Sequence, residues 1–267
     1  MIFDFHTHIF PEKIAARTLK ILKQNIMDMQ KCEEPPIYTD ATLAGLKKSM
    51  KENNIDYSLV LPIATTVKQS QNINNYAASF SGQDNVFSLG SVHPMQEQPE
   101  KELERIKELG LRGIKLHPEY QGVYINSPEC KRVLKKCAEL NLIVVAHTGR
   151  DVGMPPPVKC TPQLLYYALQ EVPDVTFVAA HMGGWGMWDE VKKYLLNTSV
   201  YFDTAFSFKF MGKYEFKEFL NSHENILFGT DSPWSCQKQD VKDIKSLNLD
   251  EKLYNKIMYQ NAKKLLK

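Results

Sequence analysis

Hydrophobic residues recur along the chain in two rhythms, and the rhythms take turns. Dense apolar runs rich in β-branched and aromatic residues occur at Ile2–His8, Tyr57–Ile63, Val86–Val92, Arg112–Leu116, Leu142–Ala146, Val175–Ala180, Val200–Ala205 and Ile226–Gly229. Their length and content predict strands. The run Leu142-Ile143-Val144-Val145-Ala146 has no polar alternation, as a strand buried on both faces requires. Between the runs, apolar residues fall three and four apart. This spacing predicts helices over 12–31 and 41–53, near 68–81, 97–109, 127–140 and 211–222, and near 240–246 and 251–266. Leu43, Leu46 and Met50 mark one such face, and Leu103, Ile106 and Leu109 another. Gly110 ends the second of these helices, and Thr39 or Asp40 is expected to cap the first. Pro35-Pro36 breaks the chain ahead of it.

Eight strands alternating with helices predict a parallel α/β fold. A chain of 267 residues suits one closed (β/α)8 TIM barrel, which takes about 250, so 1–267 reads as a single domain. Two helices follow the first strand where a barrel unit needs one. Residues 10–40 therefore hold a helical insertion, read as a partial lid or a homodimer contact. With 33 basic and 31 acidic residues, a net charge of +2 and no basic run, the chain gives no case for nucleic acid or a membrane surface as partner. A small-molecule substrate remains. No apolar stretch approaches the roughly 18 residues of a membrane span, and the N-terminus lacks the order of a signal peptide. The cysteines, Cys32, Cys130, Cys137, Cys160 and Cys236, are odd in number and form no C-x-x-C. That argues against a disulfide framework or zinc knuckle and for a reducing cytoplasm.

The candidate chemistry lies in the histidines. Residues i and i+2 of a strand face one side, so His6 and His8 project together. Barrel active sites lie at the C-terminal ends of the strands. His6, His8, His93, His117, His147 and His181 all stand at such ends; only His223 does not. Asp231 follows the last strand, beside the first in a closed barrel. Three imidazoles and a carboxylate suit zinc or another borderline divalent ion, whereas calcium and magnesium want more oxygen. Lys115 shares a face with His117 by alternation, and both are candidates for substrate binding. Arg150, three residues after His147, offers a guanidinium for a substrate carboxylate, or is a surface arginine at a loop start. Trp185, Trp188 and Trp234 wall an apolar pocket or pack the loops.

The combination of His6-Thr7-His8, His147, His181 and Asp231 in barrel order resembles the amidohydrolase superfamily. Within it, the chain is most similar to the branch of aminocarboxymuconate semialdehyde decarboxylase and related hydrolases. The resemblance covers nearly the whole chain. It implies that His6, His8, His147 and Asp231 hold one divalent metal, zinc first, with room for a second. It makes His181 a catalytic histidine or a ligand of that second ion, and Asp231, a carboxylate touching both metal and water, is the expected base. Some members bridge two metals with a carboxylated lysine on the fourth strand, near Lys115; an unmodified, substrate-binding Lys115 is the preferred expectation. The expected activity is metal-dependent hydrolysis of a small amide, lactone or ester, with non-oxidative decarboxylation of a small unsaturated or aromatic acid as the alternative. A binding protein on a barrel scaffold is the reading from another class.

Overall fold

The computed structural model describes residues 1–266. Eight parallel strands run in chain order: β1 (Phe3–Thr7), β2 (Tyr57–Val60), β3 (Val86–Ser88), β4 (Gly113–Leu116), β5 (Ile143–Ala146), β6 (Phe177–Ala179), β7 (Tyr201–Asp203) and β8 (Ile226–Leu227). Their ladders give a sheet β1-β2-β3 and a sheet β4-β5-β6-β7-β8. Hydrogen bonds join the two at both seams. Gly90 N–H donates to the Gly113 carbonyl at 2.8 Å, and Lys115 N–H to that of Gly90 at 2.9 Å. Across the other seam Phe5 N–H reaches the Phe228 carbonyl at 2.8 Å, and Asp231 N–H reaches that of His6 at 2.8 Å. The strands thus circle into the eight-stranded barrel that their alternation with helices predicts.

The two faces of each strand have different fillings. Phe3, Phe5, Leu59, Leu61, Leu89, Val145, Val178 and Leu227 pack with one another inside the barrel. Their neighbours Val60, Ile114, Leu116, Val144, Ala179, Phe202 and Ile226 pack outward against the helices. One irregularity matters for function. Between Asp4 and Thr7, three steps on β1 match two on β2. An extra residue of this kind shifts the alternation by one. Phe3 and Phe5 therefore stay with the inner filling, while His6 still turns to meet Lys115 of β4.

The helices begin with α1 (Glu12–Gln30), in the insertion, and α2 (Leu43–Asn53). Thr42, rather than Thr39 or Asp40, caps α2 by accepting from Gly45 N–H; Asp40 supports it by accepting from Thr42 N–H at 2.9 Å. Then come α3 (Ser70–Phe80), α4 (Pro99–Glu108), α5 (Pro118–Gln121), α6 (Pro128–Leu140), α7 (Pro162–Glu171), α8 (Trp188–Tyr194), α9 (Phe208–Met211), α10 (Lys213–Ser222), α11 (Gln237–Lys245), α12 (Glu251–Asn255) and, after a π-turn, α13 (Asn261–Leu265). Cys130 and Cys137 share the buried face of α6. The sequence reading lacks α5, α7 and α8. Pro162 hides α7 within a proline-rich loop, although proline in the first turn after a capping Thr161 is a helix-start signal. No described helix is long and apolar enough to cross a membrane.

Candidate metal centre

Each histidine tautomer at the mouth follows from its partners. His6 Nδ1 lies 2.8 Å from Asp203 Oδ2, so it carries the proton and donates. His8 Nδ1 lies 2.9 Å from the Leu61 carbonyl and must donate as well. Both Nε2 atoms are left as lone-pair donors, and they face each other at 3.1 Å. Asp231 Oδ1 completes a triangle, 3.4 Å from His6 Nε2 and 3.1 Å from His8 Nε2. Three electron-pair donors converge, and the nearby Lys115 ammonium reaches His6 Nε2 alone among them, at 3.3 Å. That is unfavourable unless a cation sits between them. Ligand bonds of 2.0–2.1 Å in tetrahedral geometry give edges of about 3.3 Å. The residues therefore fit a divalent ion.

The electrostatics agree. Burial holds the His6 imidazole well below its usual range, and Lys115 adds to that effect. Burial pushes Asp231 up, but His6, His8 and His181 outweigh it, so its carboxyl stays ionised. Asp231 has a positive φ of 70°, a strained conformation for a non-glycine residue that aims its side chain back at β1. Asp4 underlies the triangle, fully buried. It accepts from Thr230 N–H at 2.9 Å, Thr230 Oγ1 at 2.7 Å and Gln237 Nε2 at 2.7 Å. Burial pushes its carboxyl up to about 6.

Lys115 is fully buried on β4, with Nζ 3.3 Å from His6 Nε2. Burial lowers its pKa to about 8, with Asp203 and Asp231 pulling the other way. His181 donates from Nδ1 to the Ala205 carbonyl at 3.0 Å, and its Nε2 meets His147 Nδ1 at 3.0 Å. His147 therefore stands one imidazole away from the triangle and does not join it. Its Nε2 is 3.2 Å from the Arg150 carbonyl. His117 stacks on His147 at a centroid distance of 4.3 Å, and its Nε2 is 3.3 Å from Asp151 Oδ2. The exposed Arg150 side chain lines a separate shallow pocket with Trp188, Asp189, Glu190 and Glu215. His93 accepts from Met95 N–H and joins none of these groups.

The tryptophans divide between the two roles expected of them. Trp185 Nε1 donates to the Phe206 carbonyl and Trp188 Nε1 to that of His181, so both pack loops. Trp234 lines a cavity of about 330 Å³ with Tyr38, Phe206, Phe210 and Asp240.

The sequence pattern does not single out Asp203, Asp4 or Asp151, although each is buried or nearly so beside these groups. Asp203 stands at the mouth end of an apolar run, and Asp4 lies between two phenylalanines. A carboxylate in such a place requires buried partners, and that was the available signal.

A parallel eight-stranded barrel with His6, His8 and Asp231 converging on one point defines a metal-site enzyme scaffold. The amidohydrolase family model matches residues 3–267, and the chain belongs to that family; it is an enzyme. No curated protein matches it by sequence. Solved structures match its fold at low identity. A TIM-barrel protein from Bordetella bronchiseptica is 18% identical, with 99% of this chain and 98% of that one covered and a TM-score of 0.73. A probable 2-pyrone-4,6-dicarboxylic acid hydrolase from Acinetobacter baumannii, with citric acid bound, is 15% identical, with 99% and 98% covered and a TM-score of 0.67. A variant of 5-carboxyvanillate decarboxylase from Novosphingobium aromaticivorans, with manganese and 3-methoxy-4-hydroxy-5-nitrobenzoic acid bound, is 13% identical, with 100% and 97% covered and a TM-score of 0.74.

Proposed function

We propose that this enzyme removes carbon dioxide, without an oxidant, from a small planar carboxylic acid, using one divalent ion held by His6, His8 and Asp231. The observation that carries this reading is the position of Lys115. Its Nζ stands 3.3 Å from a nitrogen of the metal triangle. An anion gripped by that ammonium is therefore the anion at the reacting centre, not a remote handle. A carboxylate at the reacting centre is the group that a decarboxylase expels. When bound, the ion supplies Lewis-acid polarisation of a substrate oxygen and acidification of water. Asp231, ionised and 12% exposed at its side chain, faces the mouth and is the group placed to take up a substrate proton and deliver it to carbon. Asp203 and the Leu61 carbonyl fix the tautomers of His6 and His8. His181 supports the floor through His147 and reaches substrate through Nε2 only when it releases that contact. The resemblance adds His147 as a fourth metal ligand; it would have to leave His181 to serve. Zinc suits the nitrogen-rich donor set, and manganese, present in the decarboxylase neighbour, is the competitor.

Hydrolysis of a small carboxylated lactone, ester or amide is the second reading. The family's activity favours it, and Asp231 would then take its proton from water. The two are separated in labelled water. Decarboxylation releases one carbon dioxide per turnover and places a solvent hydrogen on carbon; hydrolysis puts labelled oxygen into the product. Labelled oxygen in the product with no carbon dioxide reverses the order of the two readings. Lys115→Ala is expected to keep its metal and raise KM for the acid. An unchanged KM removes the argument from Lys115.

A further inference from the structure

The single turn α5, which follows β4, is tied down on both sides and leaves its middle side chain free. Glu119, buried, accepts at Oε1 from Lys159 N–H at 2.9 Å and from Cys160 N–H at 3.3 Å. Gln121, also buried, accepts from His117 N–H at 3.0 Å. It donates to the carbonyls of Ala64, after β2, and Val92, after β3, at 2.9 and 3.0 Å. Tyr120 stands between these anchors and is only partly buried. Its ring packs on His117 at a centroid distance of 4.3 Å. Its backbone N–H reaches His117 Nδ1, while its Oη has no hydrogen-bond partner among the described residues. A methyl group placed on Gly153 would stand 3.3 Å from that Oη, 3.4 Å from Asp151 Oδ1 and 3.6 Å from Asn25 Cβ. The hydroxyl therefore faces the gap between the loop after β5 and helix α1. Gln30 of α1 bridges that gap by donating from Nε2 to the Val152 carbonyl at 2.9 Å.

The carboxylates on this side of the mouth decide what the hydroxyl can do. Burial pushes the phenol pKa above its usual range, and Asp151 and Asp231 push it further. Tyr120 therefore keeps its proton and has it to give. The same two carboxylates repel a second anion brought to this spot. A neutral oxygen is the partner that both facts admit. We infer that Tyr120 is a substrate-binding residue, its Oη donating to an uncharged oxygen of the substrate (a hydroxyl, ether or carbonyl) distinct from the carboxylate that Lys115 grips. This inference rests on the proposed function and narrows it. The substrate is a monocarboxylic acid bearing a neutral oxygen, and a dicarboxylic acid is disfavoured. The anchored turn makes the contact selective. A donor already held in place loses little freedom on binding, and an acid without the oxygen leaves that donor unpaired.

The test measures the binding of small acids to the metal-loaded protein by calorimetry. The probes are benzoate, the three hydroxybenzoates and benzene-1,3-dicarboxylate. In the unaltered protein the best hydroxybenzoate is expected to bind about 3–10-fold tighter than benzoate, the worth of one neutral hydrogen bond. The dicarboxylate should bind no tighter than benzoate. Tyr120→Phe, which removes one oxygen and keeps the ring, should bind every hydroxybenzoate no tighter than benzoate. Lys115→Ala should weaken all the acids by a similar factor and keep the preference for the hydroxyl. The same preference in Tyr120→Phe as in the unaltered protein overturns the inference, and so does its absence from the unaltered protein, a result that needs no variant. Benzoate affinity unchanged in Lys115→Ala overturns the reading of Lys115 instead, so the two failures are told apart. Failure of every acid to bind the unaltered protein overturns both.

Discussion

Asp203 carries more of the candidate centre than any residue except the donors themselves. Its Oδ2 accepts from His6 Nδ1, and its Oδ1 accepts from the backbone N–H of His181 at 2.8 Å and of Ala205 at 3.2 Å. One side chain thus sets the tautomer of a metal-facing histidine and the entry of the loop after β6. Asp203→Asn must keep its oxygen on the two backbone donors, which turns its amide N–H toward the N–H of His6. The expected result is a loss of metal affinity of about 10–100-fold, as for other carboxylates behind ligating histidines. Metal titration of the stripped variant measures it, and unchanged affinity removes Asp203 from this role. Asp240 offers a different test. Its Oδ2 is buried without a partner, while Ser235 donates to Oδ1 at 2.9 Å. Burial pushes this carboxyl from 3.8 up to about 8. The folded protein holds the proton more tightly than the unfolded chain does. Its contribution to stability is therefore complete below pH 3.8 and is lost as pH rises through about 8. Asp240→Asn should flatten the fall in Tm between pH 5 and 8; an unchanged slope contradicts the shift.

At the scale of elements, the mouth is built where the loops after β5 and β6 lock together. Gly149 N–H donates to the Cys160 carbonyl, Trp185 N–H to that of Thr148, and Arg150 N–H to that of Trp185, each at 2.9 Å. Gly149 has a φ of +84°, and a Cβ there would stand 2.3 Å from Trp185 N. The left-handed conformation costs a substituted residue about 1–2 kcal/mol, and an overlap against backbone about 1–3 more. Gly149→Ala is expected to lower Tm by roughly 5–15 °C. A change within a degree or two would mean that the two loops separate freely. The missed α7 belongs to the same region. The density of Pro155, Pro156, Pro157 and Pro162 after Gly149 reads as a long loop, and it masks the helix that follows. Thr161 and Pro162 in fact form the helix start, with Thr161 accepting from Leu164 N–H at 3.1 Å.

For the molecule as a whole, β1 and β8 meet at the metal triangle, and the barrel seam closes there. An ion binding His6, His8 and Asp231 crosses that seam and binds only the folded chain. Such binding stabilises by about 2.7 kcal/mol when free metal is one hundred times Kd. Chelation is therefore expected to lower Tm by several degrees, and returning zinc or manganese to restore it. The His6→Ala/His8→Ala variant should lose the part of that response due to the triangle. A full response in the variant would place the stabilising ion elsewhere.

Much of the barrel was legible because its strands are buried on both faces, so the apolar runs of β4 to β8 announce themselves without help from a partner. The pairing of His6 with His8 followed from the two-residue period of a strand, and the place of Asp231 from closure of β8 on β1. What the sequence could not carry was anything that depends on a neighbour distant along the chain. The slip of β1 against β2 puts Phe5 with the inner filling and still turns His6 to the mouth, and no residue count predicts it. Asp203 acquires meaning only from the imidazole it faces. The tautomers of His6, His8 and His181 are fixed by the carboxylate and carbonyls contributed by other strands and loops. That is why the histidines were visible in one dimension, while their sorting into a triangle and a stacked pair needed three.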